Sequence, residues 1–131
     1  MRILIVEDDF ISRRLIQKFL APYGECDIAV NGKEALVALG LALQEKNPYT
    51  LMTLDIMMPE MDGQHLLRAF RDKEDNLKLP FPGRLKVVMI SALDDTENVM
   101  KAFYSLADAY LIKPISKEKL VEVLGQLGLK K

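Results

Sequence analysis

Apolar residues fall along the chain in two alternating rhythms. Ile3-Leu4-Ile5-Val6 is a short β-branched run with no polar position inside it, the pattern of a strand covered on both faces. Glu7, Asp8 and Asp9 follow at once. Ile11, Leu15, Phe19 and Leu20 then recur at three- and four-residue spacing until Pro22 and Gly24, which predicts a helix and its end. Asp27-Ile28-Ala29-Val30 reads as a weaker second strand, with Asn31-Gly32 as a turn signal. Ala35, Leu36, Leu39 and Leu43 line a second helix between Lys33 and Glu45. Leu51-Met52-Thr53-Leu54 is a third strand, stopped by another acid, Asp55.

The rhythm continues past a Met58–Gly63 loop. Leu66, Leu67 and Phe70 share one side of a third helix, and the polar stretch Arg71–Arg84, with Pro80, Pro82 and Gly83, reads as a long surface loop. Leu85 to Ile90 is a fourth strand ending at Ser91-Ala92. Asp94, Asp95 and Thr96 supply N-cap chemistry for a fourth helix carrying Val99, Met100 and Phe103. Ala109-Tyr110-Leu111-Ile112 is a fifth strand, stopped by Lys113-Pro114. Ser116 caps a last helix with Leu120, Val123, Leu124 and Leu127. Five strands alternating with five helices predict an α/β fold, a parallel sheet covered on both faces with right-handed crossovers. The pattern fills residues 1–131 as a single domain, with no repeat, low-complexity tract or linker and no output domain expected.

Composition narrows the partners. The chain has 131 residues, 50% hydrophobic and 28% charged, and a net charge of 18 − 19 = −1. Such a balance disfavours disorder and direct nucleic-acid binding. The single cysteine, Cys26, allows no intrachain disulfide and no cysteine-based zinc site. No apolar run approaches the roughly 20 residues that span a bilayer, and acids arrive too early for a signal peptide. No membrane partner and a cytoplasmic, reducing location are expected.

In sheets of this kind ligands bind at the carboxyl ends of the strands, at a topological switch point. The residues there are Asp8 and Asp9, Asp55, Ser91 and Lys113. With strands one and three adjacent, Asp8, Asp9 and Asp55 converge, and three close carboxylates repel unless a cation relieves them. Hard oxygen ligands suit Mg²⁺, which keeps waters and bridges to phosphate. Lys113 would neutralise further negative charge, Ser91 could donate to a transferred group, and a cis Lys113-Pro114 bond would aim the lysine inward. Singly, each residue has an ordinary reading: Asp8 or Asp9 as a helix N-cap, Asp55 as a loop acid, Lys113 as a surface lysine. The conjunction carries the weight.

Val6-Glu7-Asp8-Asp9, Leu54-Asp55-Ile56-Met57-Met58-Pro59-Glu60-Met61-Asp62-Gly63, Ser91-Ala92 and Tyr110-Leu111-Ile112-Lys113-Pro114 together resemble the receiver domain of two-component response regulators, the CheY-like superfamily. The resemblance covers essentially the whole chain. It implies a doubly wound, flavodoxin-like sheet of order 2-1-3-4-5 and a phosphorylation-switched signalling domain, catalysing only its own phosphotransfer and dephosphorylation. Asp55 matches the acceptor of a phosphoryl group from a histidine kinase or histidine phosphotransfer protein. Asp8, Asp9, Asp55 and the backbone carbonyl of Met57 match the ligands of Mg²⁺, with Mn²⁺ as a substitute. Ser91 and Lys113 match the groups that meet phosphoryl oxygens. Ser91 and Tyr110 match the switch pair through which a face for a downstream protein target changes.

Other readings fit less well. A flavin module needs a Ser/Thr/Gly-rich phosphate loop where Glu7-Asp8-Asp9-Phe10 stands. An aspartyl-phosphate phosphohydrolase wants a second acid where Met57 stands. A degenerate receiver serving only as an interaction surface would not keep all five site residues. Leu106 occupies a position where the family usually has glycine, which implies strain or a different helix end there. His65 reads as a surface histidine, Met52 as core and Cys26 as structural. Apolar residues on the fourth helix suggest a phosphorylation-linked dimer.

Overall fold

A computed structural model of the chain describes residues 1–55, 63–78, 84–91 and 106–131. Five parallel strands form one sheet: β1 (Arg2–Val6), β2 (Glu25–Ala29), β3 (Leu51–Asp55), β4 (Lys86–Ser91) and β5 (Ala109–Ile112), in the order β2-β1-β3-β4-β5. Four described α-helices accompany them: α1 (Phe10–Leu20), α2 (Gly32–Gln44), α3 (Gly63–Asn76) and α4 (Lys117–Gln126). The helix expected over Val99, Met100 and Phe103 lies outside the described residues, so α4 is the last helix of the sequence pattern.

Both faces of the sheet are buried, as the unbroken apolar strands require. Alternate strand positions feed two cores. Leu4, Val6, Met52, Leu54, Val87 and Met89 pack against Ala35 and Leu39 of α2 and Leu66, Leu67 and Phe70 of α3. Ile3, Ile5, Leu51, Val88, Ile90 and Leu111 pack against Ile16 and Leu20 of α1 and Leu120 and Leu124 of α4. Among the described residues no helix is long and apolar enough to cross a membrane.

Local chemistry sets the element ends. The Ser116 hydroxyl accepts from the Lys119 amide at 3.2 Å, capping α4. Asn31, read from sequence as a turn signal, is the N-cap of α2: its side chain accepts from the Glu34 amide at 2.9 Å, and Glu34 Oε1 accepts from the Val30 amide at 3.0 Å. Gly24 is demanded by a close approach, since a Cβ there would collide with the Met1 carbonyl.

The Arg71–Arg84 stretch corrects a sequence expectation. It is not a loop from its start, because α3 continues to Asn76. Leu66, Leu67, Phe70 and Glu74 lie on the buried side, at helical spacing. The stripe ends in an acid, which concealed it. Glu74 is buried because it is paired: its Oε1 accepts from Arg71 Nη1 at 2.7 Å and its Oε2 from the Leu85 amide at 3.0 Å.

Candidate functional site

Register places the chemistry. Val6 of β1 is level with Leu54 of β3, Asp55 with Ile90 of β4, and Ser91 with Ile112 of β5. Glu7 and Asp55 each come one residue after the Val6–Leu54 pair, Ser91 one residue past the partner of Asp55 and Lys113 one residue past the partner of Ser91, so the four line the carboxyl edge of four adjacent strands. Backbone bonds fix this level: the Glu7 amide donates to the Ala29 carbonyl at 3.1 Å, and the Lys113 amide to the Ser91 carbonyl at 2.8 Å. The Lys113–Pro114 peptide is cis.

Lys113 is the hub of the charges. Its Nζ lies 2.6 Å from Glu7 Oε1 and 3.4 Å from Asp55 Oδ2. Glu7 and Asp55 are buried, as is Ser91, whereas Asp8 is exposed at the rim. One oxygen from each of Glu7, Asp8 and Asp55 lies within 4.8 Å of the others. Burial, then the neighbouring Asp55, pushes the Glu7 carboxyl well above its ordinary range, and Lys113 only partly opposes this. Burial alone would lower the Lys113 ammonium, but Glu7 and Asp55 outweigh it and hold it above its usual value.

Three carboxylates thus share one ammonium. Glu7 Oε2 is buried with no hydrogen-bond partner among the described residues. A buried carboxylate oxygen without a donor, beside two other carboxylates, is the environment of a hard divalent cation rather than of a structural ion pair. The donor set therefore fits Mg²⁺.

The metal pair expected from sequence, Asp8 and Asp9, is shifted by one residue. Asp9 does not join the cluster: it is the N-cap of α1, its Oδ2 accepting from the Ser12 amide at 2.8 Å. Bonds from Ser12 hold its carboxyl below the usual range. Glu7, the first acid of the run, takes the place beside Asp8. The signal was present, because Asp9 immediately precedes the first helical residue and caps sit there. Met57 lies outside the described residues. Tyr110 is half-buried on β5, level with Met89, and its Oη is buried without a hydrogen-bond partner among the described residues.

The remaining candidates are ordinary. His65 is exposed on α3. Cys26 is half-buried, and burial, then Asp27, pushes its thiol up, away from the reactive thiolate range. Leu106 contributes its carbonyl, which accepts from Arg71 Nε at 3.0 Å.

The sequence model of the response regulator receiver domain matches residues 3–125. The chain is 37% identical over 123 residues to the regulatory protein VanRB of Enterococcus faecalis, covering 93% of this chain and 50% of that protein. It is 29% identical over 128 residues to hybrid signal transduction histidine kinase L of Dictyostelium discoideum, covering 97% of this chain and 7% of that one. It thus spans half or less of these two relatives. Among solved structures, the receiver domain of the Arabidopsis thaliana histidine kinase CKI1 with Mg²⁺ and BeF₃⁻ superposes with a TM-score of 0.81 at 26% identity, covering 97% of this chain and 89% of that one. The receiver domain of Francisella response regulator 1452 gives 0.72 at 33% identity, covering 96% and 94%.

Proposed function

The chain belongs to the response regulator receiver domain family, and from that premise we propose that Asp55 accepts a phosphoryl group from a phosphohistidine of a kinase or phosphotransfer protein. The observation that carries the assignment is Lys113 Nζ poised between the buried carboxylates of Glu7 and Asp55. An Asp55 oxygen attacks phosphorus, the phosphorus–nitrogen bond to histidine breaks, and the imidazole leaves with that electron pair. Lys113 is held on the spot by Glu7 and turns to an oxygen of the incoming phosphoryl group. The Ser91 hydroxyl, at the end of the neighbouring strand, donates to another. This is catalysis by position and charge neutralisation, as phosphoryl transfer requires.

Glu7, Asp8 and Asp55, with the Met57 carbonyl, would hold Mg²⁺ or Mn²⁺, which when bound offsets negative charge on the carboxylates and the phosphoryl oxygens. Assigning the inner acid to Glu7 rather than Asp9 leaves Asp9 free to cap α1. Phe10, Ile11 and Leu15 of α1 are exposed, and Ile11 and Leu15 line a hollow with Lys113, Pro114 and Ile115. This apolar surface beside the lysine is where the donor protein would rest while its histidine reaches Asp55. Tyr110, with a buried hydroxyl lacking a partner among the described residues, is the ring whose position would respond, changing the face offered to a downstream protein in the cytoplasm. The phosphorylation-linked dimer suggested for the fourth helix rests on residues outside those described.

Transfer of labelled phosphate from a phosphorylated histidine phosphotransfer protein tests the assignment. Label should reach the native chain, and Lys113→Ala and Ser91→Ala should slow its arrival or alter its lifetime. Label that stays on the donor, or that reaches the Asp55→Asn chain equally well, would overturn it.

A further inference from the structure

The outward face of α2 differs from those of the other described helices. α3 turns Arg68, Asp72 and Lys73 to solvent, α4 turns Lys117, Glu118 and Glu122, and α1 sets Arg14 and Lys18 among its exposed apolar residues. α2 has no charged residue between Glu34 and Glu45. Val37 and Leu41 stand 62% and 48% exposed, one turn apart on the side opposite the buried Leu39. A helix that is apolar all round is ordinarily covered all round. Here the sheet and α3 cover one side only.

The charges that bound this centre are self-complementary. Lys33, Val37, Leu41 and Glu45 form a single row at four-residue spacing, and all four are exposed. Glu34, the acid beside Lys33, already accepts from the Val30 amide. Rows of this kind run alongside each other when two helices cross at about −50°, the commonest packing angle in globular proteins. In an antiparallel pair with a two-fold axis level with Leu39, Val37 of one copy meets Leu41 of the other. Lys33 then meets Glu45, and symmetry makes the ion pair twice. A parallel arrangement would instead set lysine against lysine.

We propose that this face of α2 binds a second copy of the chain in an antiparallel, two-fold arrangement. One helix from each copy makes a small contact, so the association is weak and concentration-dependent. It does not depend on phosphorylation, because α2 follows β2, the strand whose carboxyl end contributes no side chain to the acidic cluster.

Sedimentation equilibrium over a wide concentration range tests this with the native chain, Lys33→Glu, Glu45→Lys and the double reversal. Both single reversals suit the helix, placing an acid in its first turn and a base at its end, so lost association will not reflect lost folding; circular dichroism confirms that. The native mass should rise from 14.9 kDa toward twice that value, equally with and without Mg²⁺ and a phosphodonor. Each single reversal should weaken the association several-fold, and the double reversal should restore it. A monomeric mass at every concentration would overturn the proposal. So would a dimer that the single reversals leave intact, that the double fails to restore, or that forms only with phosphodonor.

Discussion

Glu7, Asp8 and Asp9 are chemically near-identical, and single steps along the backbone separate a buried ion-pair partner, a rim carboxylate and a helix cap. The step after Val6 points into the sheet end, toward Lys113; two steps later the backbone turns into α1 and the carboxylate is used by the Ser12 amide. Distinct losses follow. Asp8→Ala should weaken Mg²⁺ binding at least about tenfold, since even residues that only orient a metal ligand cost that much. Asp9→Ala should leave Mg²⁺ affinity nearly unchanged and lower the denaturation midpoint by loss of the cap. Calorimetric Mg²⁺ titration beside urea melts separates them, and an Asp9→Ala chain that loses metal affinity while keeping its stability would reverse the assignment. Residue types at the strand ends were legible in the sequence. Their exact partition was not, because three adjacent acids satisfy the same pattern and only the helix start distinguishes them.

At the scale of elements, polar links at the amino ends of the strands pin what the carboxyl ends display. Arg71 of α3 donates to the Leu106 carbonyl at 3.0 Å and the Leu85 carbonyl at 2.9 Å, and pairs with Glu74 and with Asp108, whose Oδ2 also accepts from the Val87 amide at 2.8 Å. One guanidinium thus joins α3 to the segments that begin β4 and β5. Arg71→Ala should cost about 3 kcal/mol, because it strands the buried Glu74; a urea melt reads it, and a change within error would mean the link is incidental. A second link joins β1, β2 and β3. Tyr49 donates to Asp27 Oδ2 at 2.7 Å, and Arg2 stacks on its ring at 4.4 Å and reaches Asp27 at 3.5 Å. Burial, then the bond to Asp27, pushes the Tyr49 phenol up to about 12. A raised folded value favours the neutral form, so this stabilisation is whole below the usual tyrosine value of 10.0 and is lost as pH climbs through about 12. Tyr49→Phe should therefore remove a late tyrosinate transition from the ultraviolet titration and flatten the alkaline fall in stability. Strands and apolar helix faces were readable from their periods. The end of α3 was not, because its last inward position is a glutamate that becomes acceptable only once Arg71 and the Leu85 amide are folded against it.

Across the whole molecule the two ends of the sheet divide the work: structural links at the amino ends, reactive groups at the carboxyl ends. Strand order alone brings this about. With β1 and β3 adjacent and β4 and β5 following, residues separated by up to 106 positions, Glu7 to Lys113, meet at 2.6 Å. The alternation of strands and helices announced the sheet, and the motifs announced its order. The outward face of α2 was not legible, because a count of apolar residues cannot say which of them the fold leaves uncovered. The account stands most directly on whether Asp55 takes up phosphate under metal control. Intact mass after incubation with Mg²⁺ and a small acyl-phosphate donor measures this. The native chain should gain one phosphoryl group, and neither the Asp55→Asn chain nor the native chain in chelator should gain any. An unmodified native chain in saturating Mg²⁺, or an adduct that survives in Asp55→Asn, would contradict it.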